Sequence, residues 1–443
     1  MSSVYRNKSV EEQVSAVREG RVNVRDLAES VRRALERYEP NLRAWVEYAD
    51  DLQDQAEAIS AREEPLPLKG VSVGVKDLID VAGMPTRAGS TLVSDAPREE
   101  DAGCVRRLRE LGAVIQGKTV TTEFGYFAPG PTVNPYLFSH TPGGSSSGSA
   151  AAVGAATLPV ALGTQTAGSL TRPASYCGAA GMVLTPGSTS LEGVTGLSPT
   201  LDSLGLLAQT VTDVEYVWRA FTGTESRAEP SEEAGALFVW NGSNILPLSP
   251  HMAGLVQLLP QLLSQAGFAS QRLQWKDHLL TLVDDHRTVM GFEAARTLEP
   301  VVTGKEGQVS PQLRTLVSDG QTVTEEEYEQ ALFRSRRSRQ MLEQLLGADG
   351  VIVGPAASGP APEGLGQTGS PDISRPWQLL GLPVVVVPGA RTDKGLPLGV
   401  QLIGLPGGED RLFALGRRLE PLLRKLPALT ETNPNPTLKE LSW

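Results

Sequence analysis

Cysteine is nearly absent: the 443 residues contain two, Cys104 and Cys177. So few in a chain of this size cannot form a disulfide framework. The N-terminal "MSSVYRNKSVEEQ" also lacks the apolar core of a secretion signal. Two free, buried thiols and a cytoplasmic location are the expectation, with Cys104 on a helix and Cys177 in a small-residue turn. Long apolar runs are missing too, since no window approaches the ~18 residues of a membrane span. Basic charge is in deficit, with 40 Lys and Arg against 51 Asp and Glu and a net charge of −11. That balance argues against nucleic acid or an anionic membrane as a general partner, because both require a basic field.

What is present is an ordinary globular composition, 40% hydrophobic and 21% charged, which excludes a disordered chain. The length allows one large domain or two to three smaller ones. No internal repeat and no clean linker occur, so residues 1–443 are read as a single domain. Ser9 and Glu12 form a capping box that opens a first helix. Helices follow over 24–38 and 50–61. Alternating valines in "VSVGVKDLID" predict a strand near 71–75. "GCVRRLRELG" is a helix, "AVIQGK" a strand, "SAAAVGAA" a helix and "LPVALG" a strand. Residues from 126 to the serines near 146 form a long Pro/Gly-rich loop, a type that is usually functional. "TQTAGSLTRPAS" reads as a further loop. Residues 223–345 are mostly helical, with segments near 251–266 and 325–346. "GVIVGPA" and "LPVVVVPGA" read as buried strands, and the tail "ETNPNPTLKELSW" as loosely attached. Strand and helix alternate through the middle of the chain, the mark of an α/β sheet.

Two motifs mislead. Gly112 to Thr119 spells the phosphate loop G-x-x-x-x-G-K-T, but there a strand should precede the first glycine. Here the variable Ala-Val-Ile residues are the strand. Gly144-Ser145-Ser146-Ser147-Gly148 spells the nucleophile elbow G-x-S-x-G, which should follow a buried strand and need a histidine base. These serines follow a loop instead. His140 precedes them in that loop, while His251, His278 and His286 lie downstream without motif context. Serine and lysine remain as the candidate chemistry. Lys76 ends an apolar strand, where desolvation would make a neutral amine available. Ser169 follows Thr166, Ala167 and Gly168, small residues whose N–H groups can converge as an oxyanion hole.

These segments together resemble the amidase signature family of serine hydrolases. The resemblance runs through "LKGVSVGVKDLIDVAGMPTRAGS", "GAVIQGKTVTTEFG", "NPYLFSHTPGGSSSGSAAAV", "LPVALGTQTAGSLTRPASYCGAAGMVLTP", "LSPTLDSLGLLAQTVTD" and "GLPVVVVPGARTDKGLPLGVQLIG". It covers a signature core of about 65–215 and C-terminal core strands within about 348–405, flanking the helical variable region 223–345. The family implies an α/β fold with a mixed β-sheet core covered by helices on both faces. It also implies a Ser–cis-Ser–Lys triad, which falls on Ser169 as nucleophile, Ser145 as proton bridge and Lys76 as base. The oxyanion hole falls on the amides of Thr166, Ala167, Gly168 and Ser169, and Ser146 supports the loop through its hydroxyl. No metal or organic cofactor is implied.

The chain departs from the common spelling G-T-D-T-G-G-S-I-R-x-P at Gln165, Ala167 and Thr171. The lost Asp and Arg form one compensated change if a neutral Gln165–Thr171 pair replaces a family ion pair. Ala167 requires φ < 0, since a β-carbon is costly otherwise. Arg172, at the third position after Ser169, follows the S-x-x-R-P spelling of a malonamidase-like branch. It either offers a guanidinium fork to a substrate carboxylate or binds loop carbonyls. The resulting expectation is an amidohydrolase acting on the C–N bond of a small, linear, non-peptide amide or ureide. Two alternatives stand beside it: a glutamine-hydrolysing amidotransferase subunit needing partner proteins, and a catalytically inactive binding or scaffold protein. Dimers are frequent in the family, so the resemblance allows a homodimer.

Overall fold

The computed structural model describes residues 7–225, 235–305 and 307–431. The valine pattern noted in the sequence builds a sheet buried on both sides. Its strands are β1 (Trp45–Tyr48), β2 (Ser72–Lys76), β3 (Val114–Thr119), β4 (Val160–Gln165), β5 (Ala180–Val183), β6 (Ser203–Ala208), β7 (Leu237–Val239), β8 (Ser270–Arg272), β9 (Val351–Pro355), β10 (Val384–Arg391) and β11 (Pro397–Ile403). They lie in the order β1-β3-β2-β4-β6-β5-β10-β11-β9-β7-β8. The central β2 runs parallel to both β3 and β4, whereas β4, β6, β5, β10, β11 and β9 alternate in direction. The sheet is therefore mixed.

Period-2 alternation divides its side chains between two apolar cores. Val160, Leu162, Val385 and Val387 point into one; Ala161, Val384 and Val386 point into the other. Helices Val211–Thr222, Pro250–Gln265 and Glu409–Lys425 cover the first face. Helices Ser147–Gly154, Thr171–Cys177 and Lys276–Val302 cover the second. Both faces carry helices, as the resemblance implied.

The Ser9–Glu12 capping box is formed. The next helix continues past Tyr38 to Leu42. Two parts of the sequence reading are corrected. "TRPASYC" forms the helix Thr171–Cys177 in place of the expected loop and turn, so Cys177 closes a helix. Pro173 is tolerated because it lies in the first turn, where N–H groups have no intrahelical acceptor. Gly178 ends the helix at φ 65°. The region 223–345 is also not purely helical: β7 and β8 extend the main sheet through β9. Both cysteines are free and buried. The phosphate-loop spelling is a strand, and its Lys118 is sealed 2.9 Å from Asp77 with both side chains fully buried. No helix among the described residues is long and apolar enough to cross a membrane. The tail from residue 432 onward lies outside the described residues.

Candidate active site

The parallel strands β2, β3 and β4 end at the same edge of the sheet, the usual location of a site in an open α/β fold. Lys76 is the last residue of β2 and is completely buried. Its Nζ lies 2.6 Å from Ser145 Oγ and 2.7 Å from Thr164 Oγ1, the latter near the end of β4. Burial drives its pKa well below the usual lysine value, and the charge of Asp202 opposes this. A neutral amine between two hydroxyls can accept a proton, which an ammonium cannot.

The GGSSSG segment brings Ser145 to this amine. The Gly144–Ser145 peptide bond is cis. Gly143 has φ 80°, and a β-carbon on it would meet Pro173 and Tyr176 at 3.0 Å, so only glycine suits this turn. Ser146 braces the neighbouring loop: its N–H donates to the Ser169 carbonyl, and its Oγ bonds the Thr164 backbone at both C=O and N–H. Ser147 and Ser149 donate to the carbonyls of Val120 and Leu162. The serine run is thus packed and bonded to β3 and β4, unlike a linker.

Ser169 follows β4 and lines a cleft together with Ser145, Thr166, Ala167 and Arg172. The amides of Leu170 and Thr171 are taken up by Gln165 Oε1, each at 3.0 Å. The amides of Ala167, Gly168 and Ser169 have no acceptor among the described residues. Such unclaimed donors beside a serine hydroxyl are what a developing oxyanion requires. Ala167 is not among the described non-glycine residues with positive φ, so its β-carbon is accommodated.

The amidase family model matches residues 26–238. AmiA2 of Mycobacterium tuberculosis (strain H37Rv) is 32% identical, over 88% of this chain and 87% of its own. The chain belongs to the amidase family. A glutamyl-tRNA(Gln) amidotransferase subunit from Exiguobacterium sibiricum is 28% identical over 91% of this chain and 95% of its own. A solved amidase structure superposes with TM-score 0.83 at 27% identity, covering 94% of this chain and 99% of that one. The family carries hydrolysis of amides as the reaction class.

The family departures have visible partners here. Gln165 Oε1 accepts from the Thr171 hydroxyl as well as from the two amides, and its Nε2 donates to Gln378 Oε1. Gln378 in turn donates to the Leu201 carbonyl and to Ser203 Oγ, while Thr171 Oγ1 pairs with Ser374. A neutral amide network holds the loop. Arg172 binds a loop carbonyl, one of the two roles expected for it. Its Nη2 donates to the Gly144 carbonyl at 2.5 Å and to Thr368 Oγ1 at 3.3 Å. Its Nε and Nη1 are buried without an acceptor among the described residues. Burial lowers its pKa to about 10.

Arg375 and His286 belong to the site and were not recognised in the sequence. Arg375 lines the cleft, is almost fully buried, and donates to Asp372. His286 contacts the Thr166 carbonyl and Arg375. The other histidines lie elsewhere, His140 beside Ser139, His278 beside Ser338 and His251 near Asp393. None of the four bonds a serine of the GGSSSG segment. Among the described residues no group of three or more His, Cys, Asp or Glu could hold a metal ion.

Proposed function

We propose that the protein is a serine amidase that cleaves the C–N bond of a small carboxylated amide or ureide through an acyl-enzyme on Ser169. The observation that carries this reading is the buried Lys76 amine 2.6 Å from Ser145 Oγ. As a neutral base, Lys76 takes the Ser145 proton while Ser145 takes that of Ser169. The Ser169 oxygen then attacks the amide carbon, and the amides of Thr166–Ser169 receive the oxyanion. Collapse of the tetrahedral intermediate breaks the C–N bond, and the relayed proton leaves with the nitrogen. Water hydrolyses the ester along the same route.

Substrate class rests on Arg172 and Arg375. Two guanidinium groups border one small cleft in a chain of net charge −11, and two Arg172 nitrogens lack acceptors among the described residues. A substrate carboxylate entering the cleft is the anion that this pair of cations favours. The experiment is ammonia release from paired carboxylated and neutral amides and ureides, with Ser169→Ala as control. A preference for the carboxylated member of each pair, abolished in Ser169→Ala, is expected. Release that survives Ser169→Ala removes the mechanism, and indifference to the carboxylate removes the substrate class.

Similarity to the glutamyl-tRNA(Gln) amidotransferase protein supports a second reading, glutamine hydrolysis within a larger assembly. It predicts weak glutaminase activity in the isolated chain and co-purifying partner proteins. The neutral Gln165–Thr171 network in place of the common charged pair favours the stand-alone enzyme.

A further inference from the structure

The loop carrying the unclaimed amides is held by its carbonyl edge. Ser146 N–H donates to the Ser169 carbonyl and Arg172 N–H to that of Gly168, at 3.0 and 3.2 Å. Both donors belong to the signature core. The Thr166 carbonyl is held differently, by His286 Nε2 at 2.8 Å. That side chain comes from helix Lys276–Val302, in the region where no family motif was found.

The protonation of this imidazole follows from its other neighbour. Arg375 Nη1 lies 2.7 Å from His286 Nδ1. A guanidinium only donates, so Nδ1 is the bare nitrogen and the proton sits on Nε2, facing Thr166. Arg375 is itself fixed by Asp372 at 2.8 Å, and Asp372 receives Arg287 at 2.8 Å from the same long helix as His286. Burial and the Arg375 charge both keep the imidazole neutral. The Thr166 side chain is anchored too, its hydroxyl donating to Asp202 at 2.5 Å.

In a trans peptide the C=O and N–H point in opposite directions. Holding the Thr166 carbonyl toward His286 therefore aims the Ala167 N–H the other way, and Thr166 and Ala167 both line the cleft. We propose that His286 and Arg375 are positioning residues for the oxyanion loop: Arg375 selects the Nε2–H tautomer, and His286 uses it to fix the Thr166–Ala167 peptide. This rests on the reading of Ser169 as nucleophile.

The test compares His286→Leu, which removes the donor, with His286→Gln, whose amide N–H can reach the former Nε2 position. With a neutral amide substrate, His286→Leu is expected to lower kcat about 10- to 100-fold, below the full loss of an oxyanion donor because the amide is misaimed and not deleted. KM, and substrate affinity on a Ser169→Ala background, stay within about 2-fold, while in enzyme that retains Ser169 the affinity for a boronic acid, which forms a tetrahedral adduct with its Oγ, falls in step with kcat. His286→Gln recovers most of the loss. If His286→Leu does not fold, His286→Asn serves, since its shorter amide reaches the Arg375 side but not Thr166; it should lose kcat as His286→Leu does. Unchanged kcat, a loss confined to KM, or equal damage in His286→Gln overturns the positioning role. Ammonia release by Ser169→Ala alone would instead overturn the underlying mechanism, so the two failures are separable.

Discussion

At the scale of single residues, the role proposed for Lys76 ties activity to stability. The folded protein holds its amine well below the usual lysine pKa because of burial, so between that lowered value and the ordinary 10.5 the unfolded chain binds the extra proton. Stability therefore rises with pH across this window and is reduced at neutral pH by the burial of Lys76. Lys76→Met should raise Tm at pH 7, with the gain shrinking as pH approaches 10.5, and should reduce kcat about 10⁴-fold or more. Scanning calorimetry and ammonia release at several pH values check both signs. In the intact enzyme, kcat/KM should rise with pH through the lowered Lys76 pKa, far below the range of a solvated lysine. Arg172→Leu should raise KM strongly for a carboxylated amide. It should also lower kcat for neutral and carboxylated amides alike, since the Gly144 carbonyl beside Ser145 loses its donor. An effect restricted to KM would show that the Gly144 contact is dispensable.

At the scale of elements, the loop between β4 and helix Thr171–Cys177 is set by an amide network. Gln165→Asp removes the Nε2 donor and turns a carboxylate toward Gln378 Oε1. A cost of about 1–3 kcal/mol is expected from the lost and unsatisfied hydrogen bonds. If the neutral pair replaces an ion pair, Thr171→Arg should offset part of that cost. Denaturant midpoints of the single and double variants decide, and equal damage with and without Thr171→Arg would show independent changes. The Gln165–Thr171 half of this network was legible in the sequence, because the two residues are neighbours and depart from one motif together. Gln378 was not, since 213 residues separate it from Gln165 and a lone glutamine carries no pattern. The positions proposed for the triad stand out for a related reason: Lys76, Ser145 and Ser169 lie at the ends of strongly patterned strands or in glycine-rich turns. Helix Thr171–Cys177 was hidden by the composition of its first turn. Strands β7 and β8 were hidden by length, because three residues are too few to display a period of two.

At the scale of the whole molecule, the region 223–345 cannot be treated as an appendage. It places β7 against β9, packs Trp240 edge-on to Trp377 with ring centroids 5.0 Å apart, and sends His286 to the Thr166 carbonyl. Glu293 from the same helix accepts from Ser198 and Thr200, next to the Asp202 turn. Replacing residues 235–345 by a short linker should therefore abolish cooperative unfolding, followed by circular dichroism and tryptophan fluorescence. A soluble, cooperatively folding product would show that the signature core is autonomous. Beneath the site, Lys118 and Asp77 form a fully buried ion pair. Lys118→Met should cost about 3–5 kcal/mol by stranding the Asp77 carboxylate, and adding Asp77→Asn alongside it should recover part of the loss.

The strand order also dictates when this enzyme can be completed during synthesis. β5 finds its second neighbour in β10, encoded some two hundred residues later, and β10 in turn lies beside β11. Lys76, Ser145 and Ser169 all emerge from the ribosome while one side of β5 is still unpaired. An open strand edge of this kind invites intermolecular pairing. Chains that stop short of residue 384 therefore carry Lys76, Ser145 and Ser169 together with an unprotected seam in the middle of the sheet. Premature termination should yield aggregates in place of a smaller working amidase.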